Sequence, residues 1–220
     1  MNERRAPLSL VVLISGRGSN LKAILDAISQ GELNAEVRAV ISSRLDAEGL
    51  EHARQAQVDT LALDSNDYPS RESYDRALQG LIDRFNPGLV VLAGFMRILT
   101  PEFVRHYQGR LINIHPSLLP VLKGLNTHQR ALDESLQEHG ASVHLVTEEL
   151  DGGPVIVQVR VPILAGDDAE KLAERVLAEE HGLYLQALQW LADGRIQWSG
   201  GQLLFDGQPL QKPLQLDTDC

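Results

Sequence analysis

The chain has 220 residues, 43% apolar and 23% charged, enough for one α/β domain with a sizeable core. Thirty acidic against twenty basic residues give a formal net charge of −10, which argues against a long polyanion such as a nucleic acid as partner. No apolar run is long enough to span a bilayer, and the single cysteine, Cys220, has neither an internal disulfide partner nor companions for a zinc site.

Leu8–Ile14 is an apolar run too short for a secretory signal and reads as a strand, with residues 1–7 as an N-terminal extension. A glycine loop follows, Ser15-Gly16-Arg17-Gly18-Ser19-Asn20. Leu21, Ile24, Leu25 and Ile28 then recur at helical spacing over 20–29, and Gly31 stops that helix. The following segments read as a strand (37–41), a short helix (47–55), a short strand (60–63) and a longer helix (71–85) broken at Asn86-Pro87-Gly88. Leu89-Val90-Val91-Leu92-Ala93 is uniformly apolar, as expected of a central strand buried on both faces. Repeated βα units predict a single doubly wound, Rossmann-like domain with a mostly parallel sheet.

In Ile112-Asn113-Ile114-His115-Pro116 a β-branched run ends in proline. The period of two places Asn113 and His115 on one face of a strand that Pro116 terminates. Segments 142–147 and 155–161 form an antiparallel pair around the loop 148–154, towards the C-terminal half. Asp151 heads a Gly-Gly-Pro turn there, and spacing alone also fits a simple turn former. A helix spans about Asp168 to Ala192, ended by Asp193-Gly194-Arg195. A hairpin, 196–198 with 202–205, completes the pattern, and the polar last dozen residues read as disordered. The predicted organisation is therefore a catalytic domain over 8–195 and a hairpin with a tail over 196–220.

Asn-x-His-Pro-Ser-Leu-Leu-Pro at 113–120, followed some thirty residues later by Val-His-x-Val-Thr-x-x-x-Asp-x-Gly-Pro, resembles the folate-dependent formyltransferases. The resemblance covers roughly residues 8–195. It implies a catalytic triad of Asn113, His115 and Asp151, with 10-formyltetrahydrofolate as formyl donor. Asn113 and His115 would donate hydrogen bonds to the oxyanion, while Asp151 would hold the charge on His115 and relay a proton through water. No metal and no covalent nucleophile is implied.

The glycine loop fits neither the dinucleotide fingerprint nor a Walker loop, and alone it is equally a capped helix start or an anion site. Within the resemblance it matches the branch that formylates glycinamide ribonucleotide in purine biosynthesis. Gly18, Ser19 and Asn20 would then hold the phosphate, and Glu180 would hold the ribose hydroxyls. On the folate side the resemblance implies Arg71, Met96, Arg97, Ile98 and Leu99, together with Asn113. Residue type alone would assign Met96, Ile98 and Leu99 to the core.

After Leu119-Pro120 the chain departs from the family pattern. Leu122 replaces an aromatic residue, Lys123 a common proline and Asn126 a common histidine, while Gly124 and His128 remain. This loop reads as a lid whose closure the departures put in question. A formyltetrahydrofolate hydrolase with the same triad, and a folate- or nucleotide-binding module without activity, are the competing readings. A cytoplasmic location fits the composition, and monomer and homodimer both remain open.

Overall fold

The structure, a computed structural model, describes residues 5–217; residues 1–4 and 218–220, the latter belonging to the tail that reads as disordered, lie outside them. The first half winds as β1 (Leu8–Ile14), α1 (Ser19–Ser29), β2 (Ala35–Ser42), α2 (Gly49–Gln55), β3 (Asp59–Ala62), α3 (Arg71–Asp83) and β4 (Leu89–Leu92). The second half adds α4 (Pro101–His106), β5 (Leu111–His115), α5 (Thr127–Asp133), β6 (Glu138–Leu145), β7 (Val155–Pro162) and α6 (Ala169–Ala192). Four short strands follow: β8 (Ile196–Ser199), β9 (Gln202–Phe205), β10 (Gln208–Pro209) and β11 (Leu214–Leu216).

The main sheet has eight strands in the order β11-β7-β6-β5-β4-β1-β2-β3. β3, β2, β1, β4 and β5 run parallel, whereas β5–β6 and β6–β7 are antiparallel. Alternation in the strands divides the core between two faces. Leu10, Val12 and Ile14 of β1 pack with α1, α2 and α6 on one side. Val11 and Leu13 pack with Tyr74, Leu78 and Ile82 of α3 and with Phe103, Val104 and Tyr107 of α4 on the other. Burial on both faces explains why β4 and the last five residues of β1, Leu10–Ile14, are continuous apolar runs.

The predicted α/β architecture is present, with four differences in detail. Helices α4 and α5 are additional to the elements that the sequence predicts. The first carries a legible signal: Thr100 caps it by accepting from Phe103 N–H at 3.4 Å, and Pro101 occupies the first turn, where its missing N–H costs nothing. α5 starts from Asn126 in the left-handed conformation at φ +57°, which asparagine tolerates better than most residues. The strand predicted over 142–147 runs over Glu138–Leu145 instead. It starts early because Gly140 fits against β7, where a Cβ would lie 1.9 Å from the Val159 carbonyl oxygen.

The tail is the fourth difference. Residues 214–216 form a parallel strand on β7, with Leu214 opposite Val157 and Leu216 opposite Val159. Leu214 and Leu216 pack against the core, an apolar pair that the polar composition of the tail concealed. The hairpin is present and is extended by β10 into a separate three-stranded sheet.

Candidate active site

Chain order along the sheet reverses between β1 and β4: from β1 it proceeds to β2 and β3 on one side, and β4 and β5 lie on the other. Such a switch point leaves a crevice outside the carboxyl ends of the strands. The glycine loop leaves β1 there, the Gly94–Leu99 segment leaves β4, and Asn113 and His115 lie at the end of the neighbouring β5.

His115 is buried, and its ring lies between two acceptors. Nε2 is 3.0 Å from the Leu122 carbonyl oxygen, which only accepts, so Nε2 carries a proton. Nδ1 is 3.6 Å from Asp151 Oδ2, an ion-pair distance. Asp151 sits at φ +48°, in the left-handed region that aspartate tolerates better than most residues, and Oδ2 also accepts from Gly124 N–H at 2.9 Å. The turn-former reading and the functional reading of Asp151 thus meet in one residue: the tight turn aims its carboxylate at the imidazole.

Register places His144 opposite Asn113, and Asn113 Nδ2 lies 3.3 Å from His144 Nε2. His144 Nδ1 is 3.0 Å from the Leu145 carbonyl oxygen and so carries the proton, leaving Nε2 to accept from the amide. Burial holds the pKa of His144 below the usual histidine range despite the neighbouring Asp151, in keeping with that neutral tautomer. His144 was not singled out from the sequence; its partnership with Asn113 exists only once β5 and β6 pair antiparallel.

The altered loop is packed over this cluster. Leu122 is buried in the core despite φ +56°, Ser117 Oγ donates to the Val121 carbonyl at 2.7 Å, and Lys123 pairs with Glu149 at 2.7 Å. His128 contacts the buried His139, with Nε2 of His139 3.1 Å from Nδ1 of His128. Burial, with smaller contributions from His128 and His115, pushes the His139 pKa from 6.5 down to about 4. Between those values an unfolded chain binds a proton that the folded one refuses. Stability is therefore complete above pH 6.5 and falls as pH drops towards about 4. The expected loss is on the order of 2–3 kcal/mol. Urea unfolding at pH 7 and pH 4.5 checks this: His139→Gln should show a markedly smaller difference between the two than the parent, and an equal difference would refute it.

On the glycine-loop side, Gly18 caps α1 from the left-handed region at φ +72°, and no side chain caps the helix. The N–H groups of its first turn, which begins at Ser19 and Asn20, meet no capping side chain. This removes the reading in which Ser19 or Asn20 serves as an ordinary N-cap. Asn20 Nδ2 donates to Glu180 Oε2 on α6 at 3.1 Å, while Asn20 Oδ1 is buried with no partner among the described residues. Burial raises the Glu180 pKa, and the bond from Asn20 opposes that shift. Gly18 also has a structural reason to be glycine: a Cβ would lie 2.7 Å from the Cα of Gly49 at the start of α2.

On the other side of the switch point, Met96 and Ile98 are 77% and 59% exposed, so the core assignment suggested by residue type fails for both. Leu99 packs on the α3/α4 face of the core. The Arg97 guanidinium lies 4.3 Å from the centre of the Tyr74 ring, and its buried Nε has no partner among the described residues. Arg71 is exposed at the first position of α3. Among the described residues no group of three or more His, Cys, Asp or Glu side chains is placed to hold a metal, and no helix is long and apolar enough to cross a membrane.

The chain is similar to known proteins in sequence and in structure. Residues 8–188 match the family described as formyl transferase. The phosphoribosylglycinamide formyltransferase of Escherichia coli (strain K12) is 53% identical over 203 residues, covering 92% of this chain and 96% of its own length. The human trifunctional purine biosynthetic protein adenosine-3 is 40% identical over 188 residues, 86% of this chain but 19% of that protein. The solved structure of the Coxiella burnetii phosphoribosylglycinamide formyltransferase superposes with a TM-score of 0.91 at 51% identity, covering 96% of this chain and all of that one.

Proposed function

Because the chain belongs to the formyl transferase family, we infer that it is a phosphoribosylglycinamide formyltransferase of purine biosynthesis, carrying a formyl group from 10-formyltetrahydrofolate to the amine of glycinamide ribonucleotide. One observation supports the finer reading most directly. An uncapped helix start suited to a phosphate and the Asn113–His115–Asp151 group suited to acyl transfer, with His115 buried and its two partners half-buried, lie at the same carboxyl end of the sheet, beside its switch point.

In this reading the phosphate docks on the N–H groups around Gly18, Ser19 and Asn20, and Glu180 with Asn20 takes the ribose hydroxyls. The folate lies against Met96, Arg97, Ile98 and Leu99, with Arg71 at the mouth for its glutamate carboxylates. The neutral amine attacks the formyl carbon, forming a C–N bond and a tetrahedral oxyanion. One N–H of Asn113 is held by His144, leaving the other to donate to that oxyanion. His115 has an acceptor at each ring nitrogen, the Leu122 carbonyl at Nε2 and the Asp151 carboxylate beside Nδ1, which fix the orientation of the ring. The surplus proton of the attacking nitrogen passes by way of Asp151 and a water to N10 of the folate as the C–N10 bond breaks. Formylated ribonucleotide and tetrahydrofolate leave. Leu122 O already occupies His115 Nε2, so the loop yields there for the ring to serve the oxyanion.

The direct test is stoichiometry. Purified protein given both substrates should form one formylated ribonucleotide per tetrahydrofolate; formate released without acceptor consumption would instead mark a hydrolase. Activity should also persist in excess EDTA, since the donor set at the site is one carboxylate and two imidazoles already committed to one another. Complete loss on chelation, reversed by zinc or magnesium, would overturn that expectation.

A further inference from the structure

Ser15 has no role in the reading above, yet it stands at the root of both half-sites. Three strands finish side by side around it. Ser43, which follows β2, donates its N–H to the Ile14 carbonyl at 3.0 Å, and Ala93, which follows β4, donates to the Leu13 carbonyl at 2.9 Å. Ser15 Oγ lies 2.6 Å from Ser43 Oγ and accepts the Met96 N–H at 2.9 Å. Both serines are buried.

A hydroxyl has one proton and two acceptor positions. Met96 fills one acceptor position, and Ser43 either donates to the other or accepts the hydroxyl proton. Gly94, at φ +75°, turns the chain after β4 so that the Met96 N–H returns across the switch point to β1. The side chains of Met96 and Ile98 are largely exposed and do little to anchor their segment. Its backbone is held instead, at Met96 by Ser15 and at Thr100 N–H by the buried carboxylate of Asp75 at 2.6 Å. Three residues after Ser15 the chain reaches Gly18 and the start of α1.

We propose that Ser15 is a positioning residue that couples the two substrate half-sites: its hydroxyl holds the folate-side Met96 backbone in register with the phosphate-side glycine loop, so that filling either side favours filling the other. This rests on the assignment of the two half-sites above. Ligands that order either segment order the shared hydrogen bond, and the coupling must be the same in both directions.

The test uses tetrahydrofolate, which has no formyl group to transfer, and glycinamide ribonucleotide, so no turnover interferes. The Kd of each is measured calorimetrically alone and with the other saturating. The parent should show each ligand tightening the other by about fivefold or more, the lower end of ordinary coupling. Ser15→Ala should reduce that factor to near one. Ser43→Ala loses the same serine–serine bond but keeps the bond to Met96, so it should retain most of the coupling even with an equal fall in Tm. Coupling unchanged in Ser15→Ala, lost equally in Ser43→Ala, or absent from the parent would each overturn the proposal. A parent that bound neither ligand would instead overturn the assignment of the half-sites, and this inference with it.

Discussion

His115→Ala is expected to lower kcat by about 10² or more while changing KM for either substrate much less. The ring acts on charge that exists only once the amine has attacked, so its loss falls on the transition state. The environment sharpens this expectation. Asp151 lies beside His115 Nδ1 at 3.6 Å and His144 Nε2 at 3.8 Å, so alanine at 115 leaves a largely buried carboxylate facing one neutral imidazole. Asp151→Asn keeps the shape and the bond to Gly124 through its amide oxygen but removes the charge, and should show a fall in kcat of similar size. Steady-state kinetics with each substrate varied in turn reads both effects. Near-normal kcat in His115→Ala would refute the proposed chemistry, and a KM effect alone would reduce the residue to a binding contact.

Gly18→Val should lower kcat/KM for glycinamide ribonucleotide by roughly 10–10², the range for lost hydrogen bonds to a charged group. Folate affinity should change far less. Two causes must be separated, because a Cβ at Gly18 faces backbone at Gly49 and the residue sits at φ +72°. Valine there disturbs the α1–α2 contact as well as the phosphate site, and a fall in Tm is expected beside the kinetic loss. The separation comes from the acceptor. Removing its phosphate should cost the parent heavily and the variant little, a coupling read from four kcat/KM values. Equal losses in parent and variant would leave the glycine loop a structural turn and return weight to a hydrolase. Gly16→Ala is the control: a Cβ there meets nothing within 4 Å.

The doubly wound half was legible in the sequence because burial on both faces makes its central strands mostly apolar, as in Leu10–Ile14 of β1 and Leu89–Leu92. The Asn113 and His115 pair was legible from period and proline. Less legible was everything that depends on register. Nothing local marks His144 as the partner of Asn113, or Ser142 as the residue whose hydroxyl accepts from Leu119 N–H and donates to the Ser117 carbonyl to hold the loop after His115. The exposure of Met96 and Ile98 was hidden for the opposite reason: apolar type suggests burial, whereas the chain that turns at Gly94 leaves both side chains exposed. Helices α4 and α5, six and seven residues long, offer little periodicity, and of the two only α4 carries a cap signal, Thr100-Pro101.

The small strand β11 has a consequence for how the molecule behaves in company. Without it, the β7 edge would present a bare row of N–H and C=O groups over apolar Val157 and Val159, a template on which another chain could build. β11 occupies that template, and Gln215 secures it by accepting from Arg160 at 3.2 Å. The opposite border needs less protection, because β3 is only four residues long and opens with a charged Asp59. Three residues of the tail thus cover the edge that would otherwise be open to pairing. A tag or fusion that pulls Leu214–Leu216 from their seat would bare the β7 edge and favour edge-to-edge association.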